Sequence, residues 1–258
     1  MAKSQESQSK ETGIVETGTP QVPAYLKKGT EPVGVEDKGE SRVTPRLKIV
    51  QKMAGEELVE AFGVGAVVLG DEQVEVCKPG ESFVAVPLYQ FPCWEVWKDV
   101  NDKASDNPVE RVSFDPSSEI AQRAKARYSE QYGNGFTRSW IESLNFILHI
   151  ETGDAAGSQA LASWSKASSK FGRRLKGYLQ RTGVDLFANR INFHAEKTHN
   201  AKGNWFVLSG KSAKPSFVSE ADYEKYREMY DALDRAYRAG SMAPNVGQAS
   251  ESDTDGDE

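Results

Sequence analysis

The segment with the clearest chemical character is residues 163–214, where Lys and Arg are concentrated. It holds eleven cations and two acids, Asp185 and Glu196, so its local charge is 11 − 2 = +9 in a chain of net charge −6. Aromatic residues are interleaved with these cations. Cations attract phosphates, and flat aromatic side chains stack on unpaired bases of any sequence. The pattern indicates binding of single-stranded nucleic acid; the alternative is a solvated basic face whose aromatic residues belong to the core.

The candidate contacts follow from these residue types. The predicted phosphate contacts are Lys166, Lys170, Arg173, Arg174, Lys176, Arg181, Arg190, Lys197 and Lys202. The predicted base-stacking residues are Trp164, Phe193 and Trp205, followed by Trp94 and Trp97. Because Trp94 and Trp97 are three positions apart in a predicted strand, they cannot both face the core. One of them stacks on a base or lies at an interface, or the pair provides core and edge packing.

The end of the chain has the opposite charge. Residues 240–258 contain no cation and five acids, which are Glu251, Asp253, Asp255, Asp257 and Glu258. One interpretation is a tail that only increases solubility. The other is a tethered polyanion that competes with nucleic acid for the basic segment, because tethering gives it a high effective concentration there. Such a tail also suits docking to basic patches on replication proteins.

The sequence contains no catalytic constellation that we recognise. His194, Glu196 and His199 resemble a metal-ligand set, and a metal-dependent nuclease is the weakest of our three hypotheses. Phosphate-binding loops and nucleophile elbows are absent from the sequence. We therefore expect a protein that is not an enzyme and that uses no cofactor or metal.

Cysteine content and hydropathy bear on the compartment. Cys77 and Cys93 are the two cysteines, and no CxxC motif occurs, which favours free thiols in a reducing cytoplasm. We see no signal-peptide pattern and no apolar run of about 20 residues that would span a bilayer. We expect a cytoplasmic protein without a membrane partner.

Composition predicts three regions. Residues 1–42 are poor in large apolar residues and are predicted to be a disordered arm; residues 240–258 are predicted to be a disordered acidic tail. Residues 43–239 form the predicted folded domain. Strands are expected over residues 66–76 with a turn at Gly70–Asp71, over 83–97 and over 143–151, and a hairpin over 191–210. Helices are expected near residues 118–133, over the basic segment from Ser168 to Gly183, and from Ser219 to Gly240.

This order of elements predicts a mainly β fold with helices, of the α+β class. The arrangement that fits best is an OB-like Greek-key β-barrel with an inserted basic helix and a C-terminal helix. A β-sandwich is the second choice.

Several segments together resemble bacteriophage-encoded single-stranded DNA-binding proteins. They are TPRLKIVQK at the start of the domain, LASWSKASSKFGRRLKGYL, NWFVLSG at the end of the hairpin, and the acidic C-terminus. The resemblance implies an OB fold that coats single-stranded DNA during replication and recombination in the host cytoplasm. It also implies contact with a polymerase or helicase through the tail. Apart from the resemblance, a homo-oligomer is left open as a further partner. That family's tail often ends in an aromatic residue, whereas this sequence ends in Glu258.

A second hypothesis about the function stays open at this point. It is that the chain is a non-catalytic phage structural protein or host-factor-binding protein that acts through protein–protein contacts. In that case the acidic ends are the active feature, and the basic helix is a solvated face.

Overall fold

The computed structural model describes residues 44–70, 73–99, 109–132, 135–200 and 203–239. These residues belong to the compact unit Gly39–Glu258. The predicted N-terminal arm and acidic tail, together with Lys202, lie outside the described residues.

The described residues form ten strands and four α-helices. The strands are β1 (Leu47–Ile49), β2 (Val67–Leu69), β3 (Val74–Cys77), β4 (Ser82–Trp97), β5 (Val109–Ser113), β6 (Ser129–Tyr132), β7 (Phe136–Ile150), β8 (Gln159–Trp164), β9 (Asn189–Asn200) and β10 (Gly203–Phe217). The helices are α1 (Glu56–Phe62), α2 (Glu119–Lys125), α3 (Ser169–Thr182) and α4 (Glu220–Arg238). This mainly β architecture with helices confirms the predicted fold class.

The backbone of the fold is the long antiparallel ribbon of β4 and β7. Their ladder runs from Ala85 opposite Ile150 to Trp97 opposite Ser139. The strands have 16 and 15 residues, so each is about 50 Å long at ~3.4 Å per residue. A register shift between Pro87 and Tyr89 bends the ribbon, as expected where proline interrupts a ladder.

The strands around this ribbon follow a Greek-key order. β9 pairs with the first part of β4, β7 pairs along the other side of β4, and β8 pairs with β7. The spatial order β9-β4-β7-β8 is therefore the order 4-1-2-3 that defines a Greek key. The hairpin partner β10 lies outside β9.

Closure into a barrel is not confirmed. Among the described strands, β1, β2 and β3 form a separate antiparallel sheet that meets β8 through one parallel bridge, Arg46 to Leu161. No ladder joins β8 to β10 within the described ranges. The sheets are therefore open, although apolar side chains from both of them share one core.

That core lies on one face of the ribbon, where α3 covers it. Its largest fully buried side chains include Phe83, Phe146, Trp164 and Phe193. The amphipathic pattern predicted for α3 is confirmed, because Phe171, Leu175 and Leu179 are buried against these strands. The Cα of Gly172 lies so near Trp164 that a Cβ there would be 2.8 Å from the Trp164 Cβ.

Helix α4 covers the opposite face of the ribbon. The predicted tyrosine stripe is confirmed: Tyr226 and Leu233 are buried, with Tyr223, Tyr230 and Tyr237 packed beside them. They contact a second core that contains Tyr89 and Phe91 of β4. The side chain of Ser219 accepts a hydrogen bond from the Asp222 amide and caps the helix as predicted.

Two predicted element boundaries are wrong. The helix expected to reach Gly133 ends at Lys125, and Ser129–Tyr132 is strand β6. β7 begins at Phe136, seven residues before the predicted strand. These two segments pair as a hairpin at the edge of the sheet, where partly exposed side chains give little alternation to detect. Helix α1 was also not predicted.

Candidate nucleic-acid interface

A groove of about 780 Å³ lies between α2 and α3 on one face of the ribbon. Its floor includes Trp140, Glu142 and Leu144 of β7, which are alternate residues of one strand face. Trp140 packs against α2, and Leu144 packs against the core that α3 covers. The two helices therefore form opposite walls of the groove.

The lining of this groove is strongly basic. The cations are Lys125, Arg127, Lys166, Arg173 and Lys176, and Glu142 is the one acidic residue of the lining. Lys166, Arg173 and Lys176 come from the predicted basic segment. Lys125 and Arg127 were not predicted, because the charge count that defined that segment began at residue 163. A concave surface with one sign of charge focuses the field on a polyanion.

Packing of α3 directs its cations outward. Leu175 faces the core and is 3% exposed, whereas Arg173 is exposed and Lys176 is half-buried at the side of the helix that lines the groove. Arg173 also donates a hydrogen bond of 3.2 Å to the Ser169 hydroxyl one turn earlier. Three other predicted cations, Lys170, Arg174 and Arg181, are exposed on α3 but do not line the groove.

Tyr128 supplies an accessible aromatic ring at the groove wall. The residue is 42% exposed, and its ring packs edge-on against Trp140 with the centroids 5.0 Å apart. The guanidinium of Arg123 lies 5.0 Å from both ring centroids and is held by an ion pair with Glu119. The ring is thus supported from behind while part of it stays open. Tyr128 was not among the predicted stacking residues, because its sequence neighbourhood offers only an aromatic residue next to Arg127.

The ammonium of Lys166 already contacts another side chain of the protein. Lys166 has a left-handed backbone conformation (φ 45°), and its Nζ lies 3.9 Å from the centroid of the Trp97 ring. Although the residue as a whole is exposed, partial burial of its ammonium lowers its pKa, and the nearby Glu95 carboxylate opposes that shift. Nε1 of Trp97 donates a 2.7 Å hydrogen bond to Glu95. One face of Trp97 is therefore covered by Lys166 in this structure.

Three of the five predicted stacking residues are wrong, because the fold buries them. Trp164 is 1% exposed and donates a 2.8 Å hydrogen bond from Nε1 to the carbonyl of Leu208. Phe193 is fully buried and stacks on Phe83, and Trp94 is enclosed beneath α2. No ring face is left for a base. Trp97 and Trp205 are half-buried and keep accessible surface.

The predicted phosphate contacts do not form one surface. The prediction that Arg190 contacts phosphate is corrected, because its guanidinium makes a 2.7 Å ion pair with Glu151 beside α4. The hydroxyl of Tyr226 on α4 donates to the same carboxylate, so the Arg190 charge is already neutralised and outside the groove. Lys197 is exposed on β9, opposite Phe206 in the hairpin, and also does not line the groove.

The histidine cluster does not assemble. Nε2 of His194 and the Glu196 carboxylate are 4.0 Å apart. In the described part of the chain, no group of three His, Cys, Asp or Glu side chains is placed to hold a metal ion. No helix within that part is long and apolar enough to cross a membrane.

Comparison with known proteins identifies the family of the chain. The family described as Pam3 phage gp34-like protein matches residues 10–238, which is most of the chain. The chain therefore belongs to the Pam3 phage gp34-like family and is a bacteriophage protein. No curated protein and no solved structure matches it.

Proposed function

We propose that this phage protein is a non-catalytic single-stranded DNA-binding protein that coats DNA during phage replication or recombination. The observation that carries the proposal is the groove between α2 and α3, where five cations face one acid beside the accessible ring of Tyr128. The proposal is still a single-strand-binding protein, but the proposed binding site is now the groove between α2 and α3 and not the basic segment alone.

The charge of the groove supports backbone recognition that is independent of sequence. Arg173 and Lys176 are on one wall and Lys125 and Arg127 are near the other. Each cation that neutralises a phosphate releases counterions, so affinity falls with salt by a slope of about 0.7 per contact for a single strand. Such contacts give no base preference.

The aromatic wall supports a single strand over a duplex. Tyr128 offers a ring for stacking, and base faces are available for stacking when bases are unpaired. In a duplex those faces are stacked on neighbouring base pairs. The groove therefore matches an electrostatic track with a stacking platform, which is the general pattern of proteins that bind single strands.

The experiment replaces two groove cations. In the double variant Arg173→Gln/Lys176→Gln, we expect oligo-dT binding to weaken and the salt slope to flatten by about 1.4 for two lost phosphate contacts. Fluorescence anisotropy of a labelled oligo-dT over a salt series measures both quantities. Arg173 is exposed and Lys176 is half-buried, and neither belongs to the buried apolar side of α3, so thermal unfolding should change little.

The matched control removes two cations from α4 on the opposite face of the ribbon. Lys225→Gln/Arg227→Gln changes net charge by the same amount at exposed positions outside the groove. We expect a much smaller change in slope for this variant. Equal changes in both variants would mean that the groove has no special part in binding.

A further inference from the structure

A second cleft lies next to the groove, on the far side of the turn that joins β8 to α3. Its volume is about 340 Å³, within the range of ligand pockets. Leu47 and Ile49 of β1 form one wall, and Trp205 and Phe206 of β10 form another. Residues 163–168 connect the walls.

The cleft is held open by specific bonds. The side-chain amide of Gln51 donates to the Phe206 carbonyl and accepts from the Phe206 amide, both at 2.9 Å. This two-point contact fixes the chain after β1 beside β10. Gly65 also approaches the Phe206 ring so closely that a Cβ there would lie 3.2 Å from it. The walls therefore exist before any ligand arrives.

The cleft is continuous with the groove. Trp164 and Lys166 line both, and Ala167 at the turn is exposed. The groove and the cleft therefore adjoin at Trp164 and Lys166.

We propose that this cleft receives one unpaired base of the same strand, stacked on Trp205. This inference rests on the proposed function, because it extends the path of the bound strand. It gives the protein a second stacking position in addition to Tyr128. The groove cations would hold phosphates of the same strand.

The polar side chains of the cleft give it little ability to distinguish one base from another. The Ser163 hydroxyl donates 2.6 Å to Asn145, and the Ser168 hydroxyl donates 2.7 Å to the Ser165 carbonyl. Gln51 is committed to Phe206. Since these side chains already have partners, they offer little capacity to read a base edge, and the apolar walls select for a flat ring.

The chain's own tryptophans provide the test. Of its five Trp residues, Trp94, Trp140 and Trp164 are at most 4% exposed, so a base can quench Trp97 or Trp205 by contact. We would titrate full-length Trp205→Phe and Trp97→Phe with unlabelled oligo-dT and follow fluorescence. We expect Trp97→Phe to keep most of the quenching and Trp205→Phe to lose most of it. Equal losses, or loss only in Trp97→Phe, would overturn the inference.

A second variant covers the case in which Trp205→Phe disturbs the hairpin. Ala167→Glu places a carboxylate at the mouth of the cleft at an exposed position. We expect it to weaken oligo-dT binding about fivefold or more, because one stacked base is lost and phosphate is repelled. Unchanged affinity and unchanged Trp205 quenching in this variant would contradict the inference.

Anisotropy of labelled oligo-dT, recorded in parallel, separates the two proposals. Binding without a Trp205 signal overturns the cleft and leaves the groove intact. Absence of binding in the unmodified protein removes the proposed function and the cleft together.

Discussion

At the scale of single residues, accessibility decides which aromatic side chains remain candidates for stacking. Alternation along a strand indicates that successive residues face opposite sides, but it does not say whether either side is open. Here both faces of the ribbon are covered, by α3 on one side and α4 on the other. Trp164 of β8 and Phe193 of β9 suit stacking by residue type but are buried in the core that α3 covers, whereas Tyr128 carried no periodic signal and is exposed.

The role of Tyr128 can be measured directly. In Tyr128→Ala we expect oligo-dT affinity to fall about 5- to 150-fold, because one stacked base contributes roughly 1–3 kcal/mol. Anisotropy of a labelled oligo-dT measures the change. Because the ring also contacts Trp140 and Arg123, thermal unfolding of the variant is measured in parallel to show that the protein is folded at the assay temperature.

Phe217→Ala is the matched control, because it removes another exposed aromatic ring, 49% exposed, at the end of β10 and outside the groove. Affinity should be almost unchanged in this control. Equal losses in the two variants would argue against stacking at Tyr128.

His149 makes stability depend on pH. Its ring is 5% exposed and packs 5.2 Å from Tyr226, and burial lowers its pKa below the ordinary value of 6.5. Lys225 lowers the pKa further, while Glu151 and Asp222 oppose the shift. The unfolded chain then binds the proton first, so stability falls as pH drops below 6.5 toward the folded-state pKa.

We expect His149→Phe to keep the packing and lose that part of the pH dependence. Urea unfolding of both proteins between about pH 5 and pH 7 tests this, since shared carboxylate effects cancel in the difference. Parallel stability curves for the two proteins would contradict the assignment.

At the scale of elements, the sequence predicted what depends on local periodicity. The basic helix, the tyrosine-striped helix α4 and the β9–β10 hairpin each carry an apolar pattern that is buried in the structure. The β6–β7 hairpin and helix α1 were missed, since α1 contains no buried residue and β6 is a short edge strand. Their neighbours are close in sequence, since α1 packs on Val50, Ala66 and Val68 and β6 pairs with the start of β7, but weak burial leaves little apolar periodicity to detect.

Two glycines of α3 give opposite predictions. Gly172→Ala places its Cβ 2.8 Å from the Trp164 Cβ, so we expect a loss of about 1–3 kcal/mol from overpacking. Gly177→Ala meets nothing closer than 3.5 Å, at the flexible end of Arg181. We expect it to stabilise by about 0.5–1 kcal/mol, the usual gain for alanine in a helix.

Thermal unfolding of the two variants tests the predicted loss of stability in Gly172→Ala and the predicted gain in Gly177→Ala. Each variant is the matched control for the other, because both replace glycine with alanine in the same helix. A gain in Gly172→Ala would mean that α3 does not pack on Trp164 as described, and a loss in Gly177→Ala would contradict the open surroundings of that position.

At the scale of the whole molecule, the Greek-key order was within reach of the sequence, but the groove was not. The groove combines residues 124–144 with residues 164–176, which meet only because the long ribbon places α2 and α3 on one face. A charge count along the chain found the second segment and overlooked the first. Barrel closure, which was predicted, requires a backbone ladder between β8 and β10, and the described strands make only a side-chain hydrogen bond there, from Trp164 to the Leu208 carbonyl.

The acidic C-terminal residues lead to a prediction about competition. If the five acids after residue 240 compete with DNA for the groove, truncation after Gly240 should tighten oligo-dT binding at low salt. The difference should shrink as salt rises, because salt screens both partners. Anisotropy at two salt concentrations measures it, and equal affinity of the two proteins at low salt would leave the tail without that role.

The most direct test of the account is a binding measurement on the full-length protein. We would compare a labelled oligo-dT with a matched duplex by anisotropy at low and moderate salt. The account predicts tight binding to oligo-dT, weaker binding to the duplex, and affinity that falls as salt rises. No binding to either DNA at low salt would contradict it, and protein partners would then be the place to look for the function.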